Sequence, residues 1–307
     1  MKSFPTVSLW TVSLVLAGTA TAQQTAPRQE PPAGPQSLTP APPPLPERAP
    51  DVRMPGETGF SVGLSGWFPA QQPYIDKGRG ATFTNPSLTQ LQGKPKYVDG
   101  AQIAIAIGLH NALRLSYFDA RASGSFTTAQ DITLWSQTYP SGTYVSTNYR
   151  LQNVKLSFDY LTWPYPVESR RFRLKTLWQV QYTSVRSGFD APLLPLTDAN
   201  GNILTDSSGN PISYAGTGSR WFVSPMLGIG VAEYASRNVR LEANVSGFAM
   251  PHHSTIWDAD TSVNFRAGHF EVGAGFKAFH FKTTPVAEFF LHGTLTGAFV
   301  GLRWFSE

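Results

Sequence analysis

The 307-residue chain contains no cysteine. Disulfide bonds, thiolate metal sites and a cysteine nucleophile are therefore excluded. A lipoprotein is excluded as well, because it would need a cysteine at its cleavage point. The folded protein must reach its stability without covalent cross-links.

The chain also lacks a long apolar run. Residues 1–22, MKSFPTVSLWTVSLVLAGTATA, combine a positive start at Lys2, a short apolar stretch and the small residues of Ala20-Thr21-Ala22. This pattern predicts a signal peptide rather than a membrane anchor, which needs about 20 apolar residues. Beyond it no run approaches that length. We therefore predict an exported protein, either soluble or crossing a membrane with strands whose every second residue is polar.

Aromatic residues are missing from residues 23–57, in which eleven of 35 residues are proline. Such a segment cannot bury a core, so we predict a disordered, polyproline-rich linker. The net charge of +4 is too small to indicate nucleic-acid binding. The organisation predicted is a signal peptide (1–22), a Pro-rich linker (23–57) and one folded domain (58–307).

The folded domain shows alternating apolar and polar residues instead of a helical period. Representative segments are GFSVGLSGWF (59–68), QIAIAIGL (102–109), NVKLSFDYL (153–161) and HFEVGAGFKAFHF (269–281). A period of two predicts β-strands. The strands number about ten, within a range of eight to twelve. Long connections (70–97, 124–147, 188–217) alternate with short ones, which sorts the loops to opposite ends.

The domain resembles a bacterial outer-membrane β-barrel. Its last segment, AFVGLRWFSE, resembles the C-terminal assembly signal of that class, with Val300, Leu302 and Trp304 on one parity and Ser306-Glu307 added. The resemblance implies an all-β fold, a closed antiparallel up-and-down transmembrane barrel in the cell outer membrane. The last strand would then pair with the first, which removes both sheet edges.

The two faces of such a barrel have different expected roles. Aromatic girdles at the membrane interfaces are predicted from Trp67, Trp135, Trp163, Trp178, Trp221, Trp257 and Trp304. Charged residues on the opposite parity are predicted to face the lumen: Arg114, Lys155, Asp159, Arg171, Arg173, Lys175, Arg240, Glu242, Glu271 and Lys277. Seven of these are basic and three acidic. They would form either a structural network that plugs the interior or a narrow pore that prefers anions.

A catalytic site is the third alternative. The segment MPHHSTIWDAD, which includes the predicted connection 251–258, places His252, His253, Ser254, Asp258 and Asp260 close together in the sequence. A histidine there would activate Ser254 or a water molecule. His252-x-Ser254 resembles the His-x-Ser of lipid A deacylase barrels, although Thr255 stands where that family has asparagine. Asp/His sets near an outer rim are also similar to those of omptin proteases, whose wider motif is absent.

The predicted function is a structural or surface-interaction role, with the pore and a hydrolase using His252, Ser254 and Asp258 as alternatives. No cofactor or metal is predicted, since the oxygen-rich 188–217 segment lacks the ligand order of a calcium loop. The expected partners are outer-membrane lipid and lipopolysaccharide, the barrel-assembly machinery and, through 23–57, the cell wall. Nucleic acid is not expected.

Overall fold

The computed structural model describes residues 59–79, 82–83, 89–108, 110–135, 137–163, 171–250, 254–284 and 289–306. The predicted signal peptide and Pro-rich linker lie outside these residues, as do His252 and His253. Within the described ranges no helix is long and apolar enough to cross a membrane.

Fifteen β-strands make up the described fold. The ten long strands are β1 (Phe60–Pro69), β5 (Val98–Ile107), β6 (Asn111–Thr127), β9 (Tyr144–Trp163), β10 (Phe172–Pro195), β11 (Ser213–Tyr234), β12 (Val239–Ala249), β13 (Thr255–Ala267), β14 (Phe270–Lys282) and β15 (Phe289–Phe305). The short strands are β2 (Tyr74–Arg79), β3 (Thr82–Phe83), β4 (Thr89–Gln90), β7 (Ile132–Leu134) and β8 (Gln137–Tyr139).

The ten long strands form a closed antiparallel ring in chain order. Closure comes from β1 pairing with β15, where Leu64 lies opposite Leu302 and Val62 opposite Trp304. Every barrel strand therefore has two hydrogen-bonded neighbours, and the backbone polar groups of the sheet are satisfied without water. The predicted fold class, strand number and pairing of first with last strand are confirmed.

The connections are sorted by length between the two ends of the barrel. The three connections longer than ten residues, 70–97, 128–143 and 196–212, lie at one end. The opposite end, called the short-turn end below, carries the tight turns 108–110, 235–238 and 268–269, together with the residues that begin and end the ring.

All three segments predicted as long loops contain strand: 70–97 holds the short strands β2, β3 and β4, and β2 pairs with β15. β6 and β9 extend into 124–147, with the β7–β8 hairpin between them, and β10 and β11 extend into 188–217. β9, β10 and β11 are 20, 24 and 22 residues long, whereas about 9–11 residues cross a bilayer. In the part of these strands nearest the long connections the outward side chains are polar. The alternation of apolar and polar residues that predicts strands is therefore missing there. We call this extension of β6, β9, β10 and β11 the outer wall.

The exposed apolar side chains of the barrel allow a test of whether its outer surface contacts lipid. Leu227 is 61% exposed on β11, midway between Trp221 and Glu233. Its replacement, Leu227→Arg, should lower the free energy of unfolding in lipid vesicles by about 2–4 kcal/mol, the cost of an arginine facing the bilayer centre. The control Ala235→Arg, in the exposed turn 235–238, should change it by less than about 0.5 kcal/mol. Urea titration followed by tryptophan fluorescence measures both, and equal effects would contradict a lipid-facing belt.

Candidate functional site: the barrel interior and its surroundings

The exterior of the barrel carries a continuous apolar belt. Large apolar side chains point outward from each strand, for example Leu64, Ile105, Val180, Leu227, Val263 and Val300, all about half exposed or more. A monomeric soluble protein rarely exposes so large an apolar surface. On a closed barrel this belt is the surface that contacts lipid.

Aromatic rings border the belt at both ends. At the short-turn end, Phe60 packs edge-on against Trp304 at 5.5 Å and Trp163 against Phe172 at 5.6 Å. At the outer border Tyr182 lies 6.3 Å from Trp221, measured between ring centroids. Phe172 and Tyr182 are ten residues apart on β10, which on a tilted strand corresponds to about 25 Å of height. This equals the usual thickness of the apolar band of an outer-membrane barrel.

Two of the tryptophans predicted for the girdles lie elsewhere. Trp67 is 3% exposed and points into the lumen, because it shares the parity of Ser61 and Ser65. Its ring packs against Phe118 at 5.7 Å. Trp135 lies in the turn of the β7–β8 hairpin, where its φ of 51° is in the left-handed region. Alternation along β1 indicates the lumenal position of Trp67 and was not applied to it, whereas the position of Trp135 depends on the hairpin turn.

The lumen contains a charged cluster centred on Glu242. Arg114 Nη2 lies 2.6 Å from Asp159 Oδ2 and 3.7 Å from Glu242 Oε1. Lys175 Nζ is also 3.7 Å from Glu242 Oε1, and Arg240 Nη2 is 3.4 Å from Oε2. β6 and β12 are four positions apart in the ring of ten, so the Arg114–Glu242 pair spans the lumen.

The cluster continues toward the short-turn end through Glu271. Its Oε1 accepts a hydrogen bond from Arg240 Nη2 at 2.8 Å and another from Arg303 Nη1 at 3.3 Å. Arg173 lies on the same side of the sheet, with its guanidinium carbon 5.3 Å from the ring centroid of Tyr234. These buried charges therefore have partners, as burial in a narrow lumen requires.

A second cross-lumen connection joins β9 to β13. Lys155 donates to Asp258, whose other carboxylate oxygen accepts from the Ser246 hydroxyl. Asp260 accepts from Asn244 Nδ2 at 3.0 Å. We predicted Asp258 as the last residue of a connection, 251–258, and that prediction is wrong, because β13 begins at Thr255 and carries both Asp258 and Asp260 inside the barrel.

Nine of the ten residues predicted for the lumen lie on its face. The exception is Arg171, which precedes β10, is exposed and pairs with the outward-facing Glu233 at 3.4 Å. The prediction omitted Arg303, which shares the lumenal parity of Gly301, as well as Asp258 and Asp260. With these two carboxylates the acidic members of the cluster number five, namely Asp159, Glu242, Asp258, Asp260 and Glu271.

An apolar layer crosses the lumen on the outer side of the charged cluster. Phe118 of β6 and Phe279 of β14, four strands apart in the ring, have ring centroids 5.2 Å apart. Lys277 Nζ lies 4.8 Å from the Phe118 centroid, where the charged cluster meets this layer. Other members of the layer are Leu151, Val185, Met226, Ile256, Phe281 and Leu295, each at most 1% exposed.

A polar cavity of about 160 Å³ remains within the charged cluster and borders the apolar layer at Phe118. Its lining includes Gln102, Gln179 and Asn244, each with a buried amide atom that has no protein partner. A cavity of this size and polarity suits several water molecules that satisfy these atoms.

The residues predicted for a hydrolase are not brought together where the structure describes them. Ser254 is buried at the end of 250–254, and Asp258 is bound to Lys155 and Ser246 rather than to Ser254. Among the described residues no group of three or more His, Cys, Asp or Glu side chains has the arrangement of a metal site.

The sequence matches no family model and no curated protein. Similar folds occur among solved structures. The outer-membrane protease OmpT from Escherichia coli is 9% identical, with 81% of this chain and 97% of that chain covered and a TM-score of 0.48. The translocator domain of autotransporter NalP from Neisseria meningitidis is 13% identical, with 81% and 89% covered and a TM-score of 0.40. Ail of Yersinia pestis is 9% identical, with 80% and 99% covered and a TM-score of 0.32.

The closed ring, the apolar belt with its aromatic borders and the polar interior define an outer-membrane β-barrel. The class and its location in the outer membrane therefore follow from the chain's own geometry.

Removing one charge from the lumenal cluster should destabilise the barrel strongly. Glu242→Gln leaves Arg114, Lys175 and Arg240 buried with less compensation, so the free energy of unfolding should fall by about 3–5 kcal/mol. The control Glu233→Gln breaks an exposed pair with Arg171 and should cost less than about 1 kcal/mol. Urea titration of the refolded protein in detergent compares them, and similar losses would show that the cluster is not a buried network.

Proposed function

We propose that this protein is a non-conducting outer-membrane barrel that displays the outer wall and its loops for interaction at the cell surface. The observation that carries the proposal is the closure of the lumen by two layers. Arg114–Glu242 and Lys155–Asp258 bridge it in the charged layer, and Phe118–Phe279 bridges it in the apolar layer. A continuous aqueous path would have to break both layers, which argues against the anion-preferring pore.

The packing inside the outer wall supports a display role. The β7–β8 hairpin lies against the wall, and the buried Tyr139 hydroxyl donates to the Phe189 carbonyl oxygen at 3.2 Å. Burial raises the pKa of Tyr139 to about 12, so this phenol remains a donor at physiological pH. Gly93 of the first long loop is fixed by the Tyr149 hydroxyl at 2.9 Å. A wall held this way is a rigid platform beyond the lipid.

The tip of the outer wall is built from a short internal repeat that our sequence analysis missed. LTDANGNI (196–203) and LTDSSGNP (204–211) are two eight-residue units with Gly201 and Gly209 at φ near 80°. In each unit the aspartate accepts hydrogen bonds from the backbone N–H groups two and four residues on, at 2.8 and 2.9 Å. The hydrogen bond from the Asn202 side chain also lowers the pKa of Asp198.

Apolar side chains are exposed around this tip. Leu193, Ile203, Leu204 and Ile212 are between 38% and 79% exposed. They lie far beyond the belt, where lipid does not cover them. Apolar groups held on a rigid exposed turn favour contact with another macromolecule or surface. Contact of residues 23–57 with the cell wall and of β15 with the assembly machinery are further parts of this proposal.

Planar bilayer recording tests the closed lumen. The wild-type protein should give no conductance steps. A variant with Phe118, Phe279, Arg114 and Glu242 all replaced by serine should give steps, because both bridging layers then lose a cross-lumen contact. The control Phe276→Ser changes an outward side chain of β14 and should stay silent. Heat-modifiable gel mobility confirms that each variant is folded, and reproducible steps from wild type would refute the proposal.

Display of the outer wall on the cell surface is tested by cysteine labelling, for which the cysteine-free chain is suited. Ser207→Cys lies in the tip repeat, and Ala235→Cys lies in a turn at the short-turn end. On intact cells a membrane-impermeant maleimide should label only Ser207→Cys, and after lysis it should label both. Labelling of Ala235→Cys alone on intact cells would show the opposite orientation and end the display role.

A further inference from the structure

Three arginines lie side by side on the outward face of the outer wall. The strand register places Arg121 of β6 directly opposite Arg150 of β9, and Arg150 directly opposite Arg186 of β10. Directly opposed residues in antiparallel strands have Cα atoms about 4.5–5.5 Å apart. We call these three residues the arginine row.

The row carries more positive charge than its surroundings neutralise. Asp119 binds Arg121 Nη2 at 2.5 Å and Arg150 Nη2 at 2.6 Å. Arg186 is exposed and has no carboxylate partner among the described residues. One carboxylate thus pairs with two of the three guanidinium groups, and like charges placed directly opposite on a sheet repel. An anionic ligand would remove this repulsion.

The row lies just beyond the lipid headgroups, at a distance that its long side chains can bridge. Tyr182, at the outer border of the apolar belt, precedes Arg186 by four residues on β10, or about 10 Å of height on a tilted strand. The headgroup region of a bilayer extends about 5–8 Å on each side beyond the hydrocarbon core. Guanidinium groups on long side chains therefore reach the depth at which lipid phosphates lie.

The chain around the row forms a polar surface groove. Its lining includes the row itself and, two register positions further out, Ser123, Asn148 and Thr217. Phosphate oxygens accept hydrogen bonds from such hydroxyl and amide groups and from the neighbouring guanidinium groups of arginine. Gly188, between Asn148 and Thr217 in the register, adds no side chain to the groove.

We propose that the arginine row is a binding site for the phosphate groups of a lipid headgroup in the outer leaflet. Arg121 and Arg150 share Asp119 and present their remaining donors outward, while Arg186 contributes a full positive charge. A phosphorylated glycolipid with two phosphates fits the width of three strands. The site is separate from the lumen and goes beyond the display role, although it depends on the barrel being in the membrane.

Native mass spectrometry of the purified protein in detergent tests this site with diphosphorylated lipid A as the probe. Arg186→Gln breaks no ion pair, so it should fold normally and bind lipid A about tenfold more weakly, the effect of losing a charge-assisted hydrogen bond. Arg186→Lys should keep part of the affinity, because it keeps the charge but not the planar fork. The control Arg237→Gln, in the turn at the short-turn end, should bind like wild type.

The arms of the experiment separate the possible ligands. Wild type should bind lipid A that lacks both phosphates no more tightly than Arg186→Gln binds intact lipid A. Inorganic phosphate at the same concentration as lipid A should not compete with it for the wild-type protein. Equal binding of both lipids, or an unchanged Arg186→Gln, would overturn the proposal, and effective competition by inorganic phosphate would overturn the assignment to lipid. A conducting wild-type barrel would refute the proposed function without altering these binding results.

Discussion

The pairing of β1 with β15 is the contact on which the rest of the structure depends. A β-sheet in lipid has no water to satisfy its edges, so an open sheet would leave a row of N–H and C=O groups unpaired. Closure at Leu64 and Leu302 removes both edges at once. It also separates two environments, so that each strand needs apolar side chains outside and can carry charges inside.

The interior of the ten-stranded ring is filled by charged and apolar side chains. Its diameter is only slightly larger than that of barrels filled by their own side chains. Arg114, Lys155 and Arg240 can therefore reach carboxylates on distant strands. The aromatic pair Phe118 and Phe279 closes the remaining section. Charge pairs thus close one section of the lumen and packed aromatic rings close the next section along the barrel axis. Both support a scaffold role for the barrel.

The strands within the belt were predictable, because lipid on one side and charge on the other impose a period of two. The extended strands 188–195 and 213–217 were not, since water on their outward side removes that contrast. Asp258 was assigned to a connection because the boundary of β13 is not visible in the sequence. The pairs in the lumen and the arginine row depend on register between strands, which no single segment encodes. The repeat at 196–211 was visible and was missed because its period is short.

The unequal lengths of the strands have a consequence for how anything approaches the protein. β10 has 24 residues and β12 has 11, and both begin at the short-turn end. The rim on the β10 side therefore stands about 30 Å higher than on the β12 side. The rim formed by the strands is therefore oblique rather than level, and it is lower on the β12 side. Rotation of the barrel in the plane of the membrane would then decide which neighbours it can meet.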